Sequence, residues 1–224
     1  MVDPERQRLN MVESQVRPSD VTDRRVLAAM TNTPREAFVP APLRSLAYMD
    51  DGIALTTGKN GQKPVRAMMA PRVLAKLLQA LDLTETDVVL DIGCATGYST
   101  AILAAIAETV VALEADPEWT EQASENLSSL GLDNTAVVTG VLKDGYASEG
   151  PYDAIFLGGT VAMVPEDLLD QLKDGGRLVT VVAEGPLSRA VIWRRSGEIF
   201  DREDAFEASA PELPGFERKA EFTF

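Results

Sequence analysis

The sequence predicts a doubly wound α/β domain, and two observations carry that prediction. After Asp82, short and almost continuously apolar runs alternate with helical segments, the pattern of strands covered by helices on both faces of a parallel sheet. The first of these runs leads directly into a glycine turn, Asp91-Ile92-Gly93-Cys94-Ala95-Thr96-Gly97-Tyr98-Ser99, followed by a helical stretch. A chain of 224 residues suits one domain with an N-terminal extension and is long enough to bury a substantial core.

Residues 1 to about 80 carry little strand signal and several turn-forming stretches, among them Thr33-Pro34, Pro40-Ala41-Pro42 and Thr57-Gly58-Lys59-Asn60-Gly61. One helix is expected through Val26, Leu27 and Met30. A second starts near Pro71, a proline suited to a first helical turn, and carries Leu74, Leu77, Leu78 and Leu81 at spacings of three and four. The expected strands follow at 88–92, 109–113, 135–139, 154–157 and 177–182. Between them lie an Ala/Ile/Leu-rich segment at 99–107, a helix with Trp119, Ala123, Leu127 and Leu130 on one face, and a helix with Leu168, Leu169 and Leu172. Pro165-Glu166-Asp167 makes a good start for the last of these and Asp174-Gly175-Gly176 a good stop. In the tail, Ala190 to Arg194 and Ile199-Phe200 flank Ser196-Gly197 as a hairpin, and Glu221 to Phe224 reads as a terminal strand, so the last strands are expected to pair antiparallel.

Composition narrows the function classes. With 35 acidic against 21 basic residues the net charge is −14, which opposes attraction to nucleic acid or to anionic membranes. No apolar run approaches the ~20 residues that span a bilayer. The N-terminus MVDPERQRLN lacks the apolar centre of a secretory signal, and the single cysteine, Cys94, excludes an internal disulfide. A cytoplasmic protein is expected. Histidine is absent, so any proton transfer near neutral pH must use other groups. Oligomeric state is not legible.

In open α/β sheets ligands bind at the carboxyl ends of the strands, where a glycine turn admits close backbone approach and a helix N-terminus offers free N–H groups. A pyrophosphate fingerprint counted from Gly93 would place glycine where Ala95 and Tyr98 stand, which disfavours a nicotinamide enzyme. Asp91 at the head of the turn suits a cationic or zwitterionic ligand. Glu114, at the end of the second strand, stands where a carboxylate accepts both hydroxyls of a ribose. A nucleoside with an amino-acid tail fits these two acids, and S-adenosylmethionine is such a molecule. Each residue also has a plainer reading: Gly93 and Gly97 as tight-turn residues, Glu114 as a solvated strand end, Cys94 as small-residue packing, Asp153 as a turn residue, and Arg24-Arg25 and Arg194-Arg195 as solvated faces.

Taken together, these residues resemble the protein-L-isoaspartate O-methyltransferase family over nearly the whole chain. The matches are Val26 to Met30 with Pro34-Arg35-Glu36-Ala37-Phe38-Val39-Pro40, Leu46 to Asp50, Val89 to Tyr98, Pro151-Tyr152-Asp153-Ala154-Ile155, Val164-Pro165, Gln171-Leu172 and Gly175 to Val179. The resemblance implies a seven-stranded class I methyltransferase (Rossmann-like) sheet with an antiparallel seventh strand, an N-terminal extension at 1–82 packed on the acceptor side, and a cofactor-binding core at 83–224. It further implies methyl transfer from S-adenosyl-L-methionine to the carboxyl of isoaspartyl residues in damaged protein. The cofactor would rest on Asp91, Gly93, Cys94 and Gly97 of the turn, on Glu114 and Ala115, and on Leu142.

Two positions depart from the family pattern. Met69 stands where the family carries a serine beside the acceptor carboxylate, and a thioether cannot donate a hydrogen bond; no catalytic residue is assigned. Val141 stands where the family carries an aspartate that helps hold adenine, with Asp144 three residues on as a weak substitute. Two further readings therefore stay open: a methyltransferase of a different acceptor, and a non-catalytic homologue that binds S-adenosylmethionine without turnover. The segment 56–66, with Gly58, Lys59, Asn60 and Gly61, is a candidate lid.

Overall fold

The computed structural model describes residues 3–56 and 66–217. The N-terminal part holds α1 (Pro4–Met11), α2 (Arg24–Asn32), several short turns of tighter or wider helix, and a two-stranded antiparallel pair, β1 (Ile53–Ala54) and β2 (Ala67–Met68). Neither α1 nor this strand pair shows in the hydrophobic pattern. In α1 only Met11 is buried, so the helix has no apolar stripe; its signal is the cap, in which Asp3 accepts from the Glu5 amide at 3.0 Å and Pro4 takes the first position. The helix through Val26, Leu27 and Met30 and the one starting at Pro71, α3 (Pro71–Ala80), form as expected, each burying its apolar face.

The core is a seven-stranded sheet built from β3 (Val88–Ile92), β4 (Thr109–Glu114), β5 (Thr135–Thr139), β6 (Tyr152–Val161), β7 (Leu172–Glu184), β8 (Leu187–Ser196) and β9 (Ile199–Glu207), with α4 (Tyr98–Ala104), α5 (Pro117–Ser129) and α6 (Glu166–Leu169) in the crossovers. The strand order is β5-β4-β3-β6-β7-β8-β9, and the first five strands in chain order pair in parallel. Chain direction across the sheet reverses between β3 and β6, so the crevice at their carboxyl ends is the topological switch point.

The strand running against its neighbours is β8, the sixth in the sheet's chain order, not the seventh. The reason is local. Two-residue connections, Gly185-Pro186 and Gly197-Glu198, join β7 to β8 and β8 to β9, and so short a link allows only an antiparallel hairpin. The expected hairpin at Ser196-Gly197 is present; the strand expected at Glu221 to Phe224 lies outside the described residues. A second correction concerns Leu172. It opens β7 rather than closing a helix: α6 stops at Leu169, and Asp174-Gly175-Gly176 lie inside β7 at an irregularity in its pairing with β6.

The two sheet faces are covered separately. One cluster joins Met11, Val16, Met30 and Phe38 of the N-terminal part to Leu74, Ile102 and Leu127 of the helices and to Val89 and Phe156 of the sheet. The other packs Leu168 and Leu169, with Leu213 and Phe216 of the C-terminal segment, against Leu90, Ile155 and Leu178.

Candidate functional site

β3 carries Asp91 to the switch point, where its side chain is fully buried. Its Oδ2 accepts from the Ser99 and Thr100 hydroxyls, each at 2.7 Å, while Oδ1 is buried with no partner. Burial pushes this carboxyl up to about 6, against the opposing effect of the Thr100 and Ser99 hydrogen bonds. The turn then folds back on itself: Gly93 and Gly97 take positive φ, +80° and +92°, and Ala95 takes +49°. At Gly93 a side chain would also strike Leu213, whose Cδ1 lies 2.4 Å from the position of a Cβ, so the turn is read at the backbone. α5 steadies the loop through Asn126, which donates to the Thr96 carbonyl at 2.9 Å. Tyr98 begins α4 and is buried against Phe38 and under the Arg35 guanidinium.

Glu114 ends β4 beside the turn. Its Oε2 accepts from the Ala95 amide at 2.9 Å and its Oε1 from the Ala115 amide at 2.8 Å. It is not a solvated strand end, being 2% exposed, and it is ion-paired with Arg66, itself 7% exposed. Nη2 of Arg66 donates to Glu114 Oε2 and, at 2.9 Å, to the Gly93 carbonyl. In the sequence Arg66 is merely the last residue of the loop at 56–66, and no spacing or composition marks it as a partner of Glu114. The lid candidates Gly58, Lys59, Asn60 and Gly61 lie outside the described residues.

The remaining predicted residues fall around this centre. Cys94 is buried, and burial, reinforced by the Asp91 and Glu114 carboxylates, holds its thiol well above the usual thiol range, which suits a packing role. Leu142 is buried, Val141 is 55% exposed, and Ala115 is exposed. Met69 is buried and lines, with Gly93, Cys94, Tyr98 and Phe156, a cavity of about 30 Å³, room for about one water. Ala67 lines this cavity and also a groove of about 1160 Å³ bounded by Asp51, Thr160, Leu187, Glu207 and Phe216.

Asp153 is a fastener outside the crevice: its Oδ2 accepts from the Val88 amide at 2.8 Å and from Lys173 Nζ at 2.6 Å. Arg195, read as part of a solvated pair, instead donates to the carbonyls of Asp170 and Leu172. Among the described residues no group of His, Cys, Asp or Glu side chains is arranged to hold a metal, and no helix is long and apolar enough to cross a membrane.

The family model for protein-L-isoaspartate(D-aspartate) O-methyltransferase matches residues 6–204. The chain belongs to this family. A protein-L-isoaspartate O-methyltransferase from Methanoculleus marisnigri is 39% identical over 177 residues, covering 79% of this chain and 77% of that one. One from Rhodopseudomonas palustris is 38% identical over 195 residues, 86% of each chain. A solved protein-L-isoaspartate O-methyltransferase superposes with a TM-score of 0.79 at 25% identity, covering 94% of this chain and 66% of that one. A Plasmodium falciparum beta-aspartate methyltransferase, solved with S-adenosyl-L-homocysteine, shares the fold at a TM-score of 0.74 and 19% identity, covering 92% of this chain and 97% of that one.

The family's methyl donor is S-adenosylmethionine, and the residues present can be tested against it. A buried carboxylate oxygen of Asp91 without a partner suits the donor's ammonium, while the space beside Gly93 is filled by side chains of Leu213 and Arg66. Glu114 would accept from a ribose at this strand end. The set fits on one condition: Arg66 has to give up Glu114, because the cavity beside it holds about one water.

Proposed function

We propose that this family member transfers the methyl group of S-adenosylmethionine to a side-chain carboxylate of a polypeptide, the isoaspartyl carboxylate being the acceptor that its relatives' names point to. The observation that carries the reading is the pairing of Asp91 and Glu114 across the Gly93 turn at the switch point, two buried acids matched to an amino-acid tail and a ribose. Cofactor contacts are assigned to Asp91, Gly93, Cys94, Gly97, Glu114, Ala115 and Leu142. Ala115 would serve through its backbone, and Leu142 as a buried apolar wall near the base.

A bound donor would supply an activated methyl on sulfur for transfer to a carboxylate oxygen, the bonding pair remaining on the sulfur. The chain's task is to hold the two reacting atoms in line and dry. A carboxylate nucleophile needs no general base, in keeping with a chain that has no histidine. Residues 1–82 are assigned to the acceptor side of the site and 83–224 to the donor side, and the groove that shares Ala67 with the cavity, lined by Asp51 and Arg72 and by Thr160 and Phe216 of the core, is the entry path for the acceptor. Met69 lies where that path ends and offers apolar packing in place of a hydroxyl. The net charge of −14 disfavours nucleic-acid and anionic-membrane partners, and a single cysteine suits a cytoplasmic protein.

The test is transfer of labelled methyl to an isoaspartyl peptide, with its ordinary aspartyl isomer alongside. Label that appears on the isoaspartyl peptide and is released as methanol at alkaline pH supports carboxyl methylation. Label stable to alkali, or equal on both peptides, points to a different acceptor. Donor binding with no transfer to any acceptor supports a non-catalytic role, which the loss of hydroxyl and carboxylate at Met69 and Val141 would favour.

A further inference from the structure

We propose that Arg66 is a built-in competitor for the methyl donor: its guanidinium holds the place on Glu114 that the donor's ribose takes, and binding proceeds by exchanging one for the other. The inference rests on the reading of Glu114 as the ribose acceptor.

The geometry leaves Glu114 fully engaged. Oε1 is turned to the Ala115 amide, and Oε2 is shared between the Ala95 amide and Nη2 of Arg66. The same Nη2 donates to the Gly93 carbonyl at 2.9 Å, so the guanidinium lies across the turn itself. A Cβ at Gly93 would find Arg66 Nη2 at 3.6 Å and Leu213 Cδ1 at 2.4 Å. The close approach that a glycine turn normally reserves for a ligand is taken up by two side chains of the chain.

The seat satisfies Arg66 incompletely. Its Nε is buried without a partner, and a buried donor left unpaired weakens the arrangement that holds it. The backbone of Arg66, by contrast, is fixed: its carbonyl accepts from the Leu55 amide at 2.9 Å, and its own amide donates to the Thr56 hydroxyl at 3.2 Å. Exchange therefore takes a rotation of the side chain about an anchored backbone and leaves the β1–β2 pair in place. On release, the ribose hydroxyls replace the donors that Glu114 loses, so the carboxylate is not left buried with two amides alone.

The direct test is calorimetric titration of the wild type and of Arg66→Gln with S-adenosyl-L-homocysteine, which carries the ribose and cannot react. Removing the competitor raises the population able to bind, and the expected result is roughly tenfold tighter binding by Arg66→Gln. Equal or weaker binding by the variant overturns the proposal while leaving the donor reading intact. Absence of binding in both proteins removes the donor reading, and this inference with it.

Should Arg66→Gln fail to fold, the wild type alone decides. The Nε–H resonance of Arg66, assigned in the wild type by through-bond correlation to its own backbone, is expected to change from a protected to a solvent-exchanging signal on saturation, with the Leu55 amide still protected. A protected Arg66 resonance in the saturated protein overturns the proposal.

Discussion

Nη2 of Arg35 donates to the carbonyl of Met69 at 2.7 Å while Nε of the same guanidinium donates to Ala47 at 2.8 Å. Arg35 is fully buried, and its guanidinium carbon lies 4.7 Å from the centre of the Tyr98 ring. One side chain thus ties the segment that bears Met69 to the N-terminal part and to the start of α4. Arg35→Ala strands two buried carbonyls and opens a cavity, and it is expected to cost about 3 kcal/mol or more of stability in urea unfolding. A loss under about 1 kcal/mol would show that the tie is dispensable.

Asp91 links stability to pH with a sign opposite to that of a typical salt-bridged acid. Its carboxyl is raised from an ordinary 3.8 to about 6, so the folded state binds this proton more tightly than the unfolded chain does. Its contribution is fully present below about pH 4 and is lost as pH rises to about 6. Asp91→Asn escapes that loss. The ligand-free variant is expected to match the wild type near pH 4 and to exceed it by about 3 kcal/mol at pH 7, with donor binding weakened at least ~10-fold. A constant difference between the two proteins across this range would contradict the assignment.

At Met69, the serine variant restores a hydroxyl at the end of the acceptor path. Met69→Ser is expected to lose about 2 kcal/mol of stability through lost apolar burial and to gain about tenfold in kcat/KM on an isoaspartyl peptide, since a hydrogen bond to a charged group contributes about 1.5–3 kcal/mol. Unchanged kcat/KM in a folded variant would move the acceptor carboxylate elsewhere.

Val141 is 55% exposed beside the buried Leu142, so Val141→Asp should leave stability within ~0.5 kcal/mol. Restoring a hydrogen-bond acceptor at the adenine end is expected to tighten donor binding about fivefold. Calorimetry showing weaker binding would place the base away from this strand end.

The doubly wound core was legible because its strands are apolar on both faces and its first turn breaks the strand pattern with Gly93 and Gly97. The site was legible to the extent that it depends on strand ends: Asp91 is next to last in its strand and Glu114 closes its own, and sheet topology brings strand ends together. What escaped notice depends on contacts distant in sequence. Arg66 meets Glu114 across 48 positions, and Arg35 meets Met69 across 34; neither arginine stands in a periodic pattern. Helix α1 escaped because it buries a single residue, and the strand reversed in the sheet was misplaced because hairpin turns as short as Gly185-Pro186 order neighbours in space more strongly than a family expectation does.

The most direct test of the account is titration of S-adenosylmethionine into the wild type and into Glu114→Gln. One binding site in the wild type, with affinity reduced at least ~10-fold in the variant, is the predicted result, since a ribose contact to a charged acceptor is lost while Arg66 still lies across the turn through the Gly93 carbonyl. No binding by the wild type, or equal binding by the two proteins, would contradict the claim that the turn at Asp91 and the end of β4 together form the donor site.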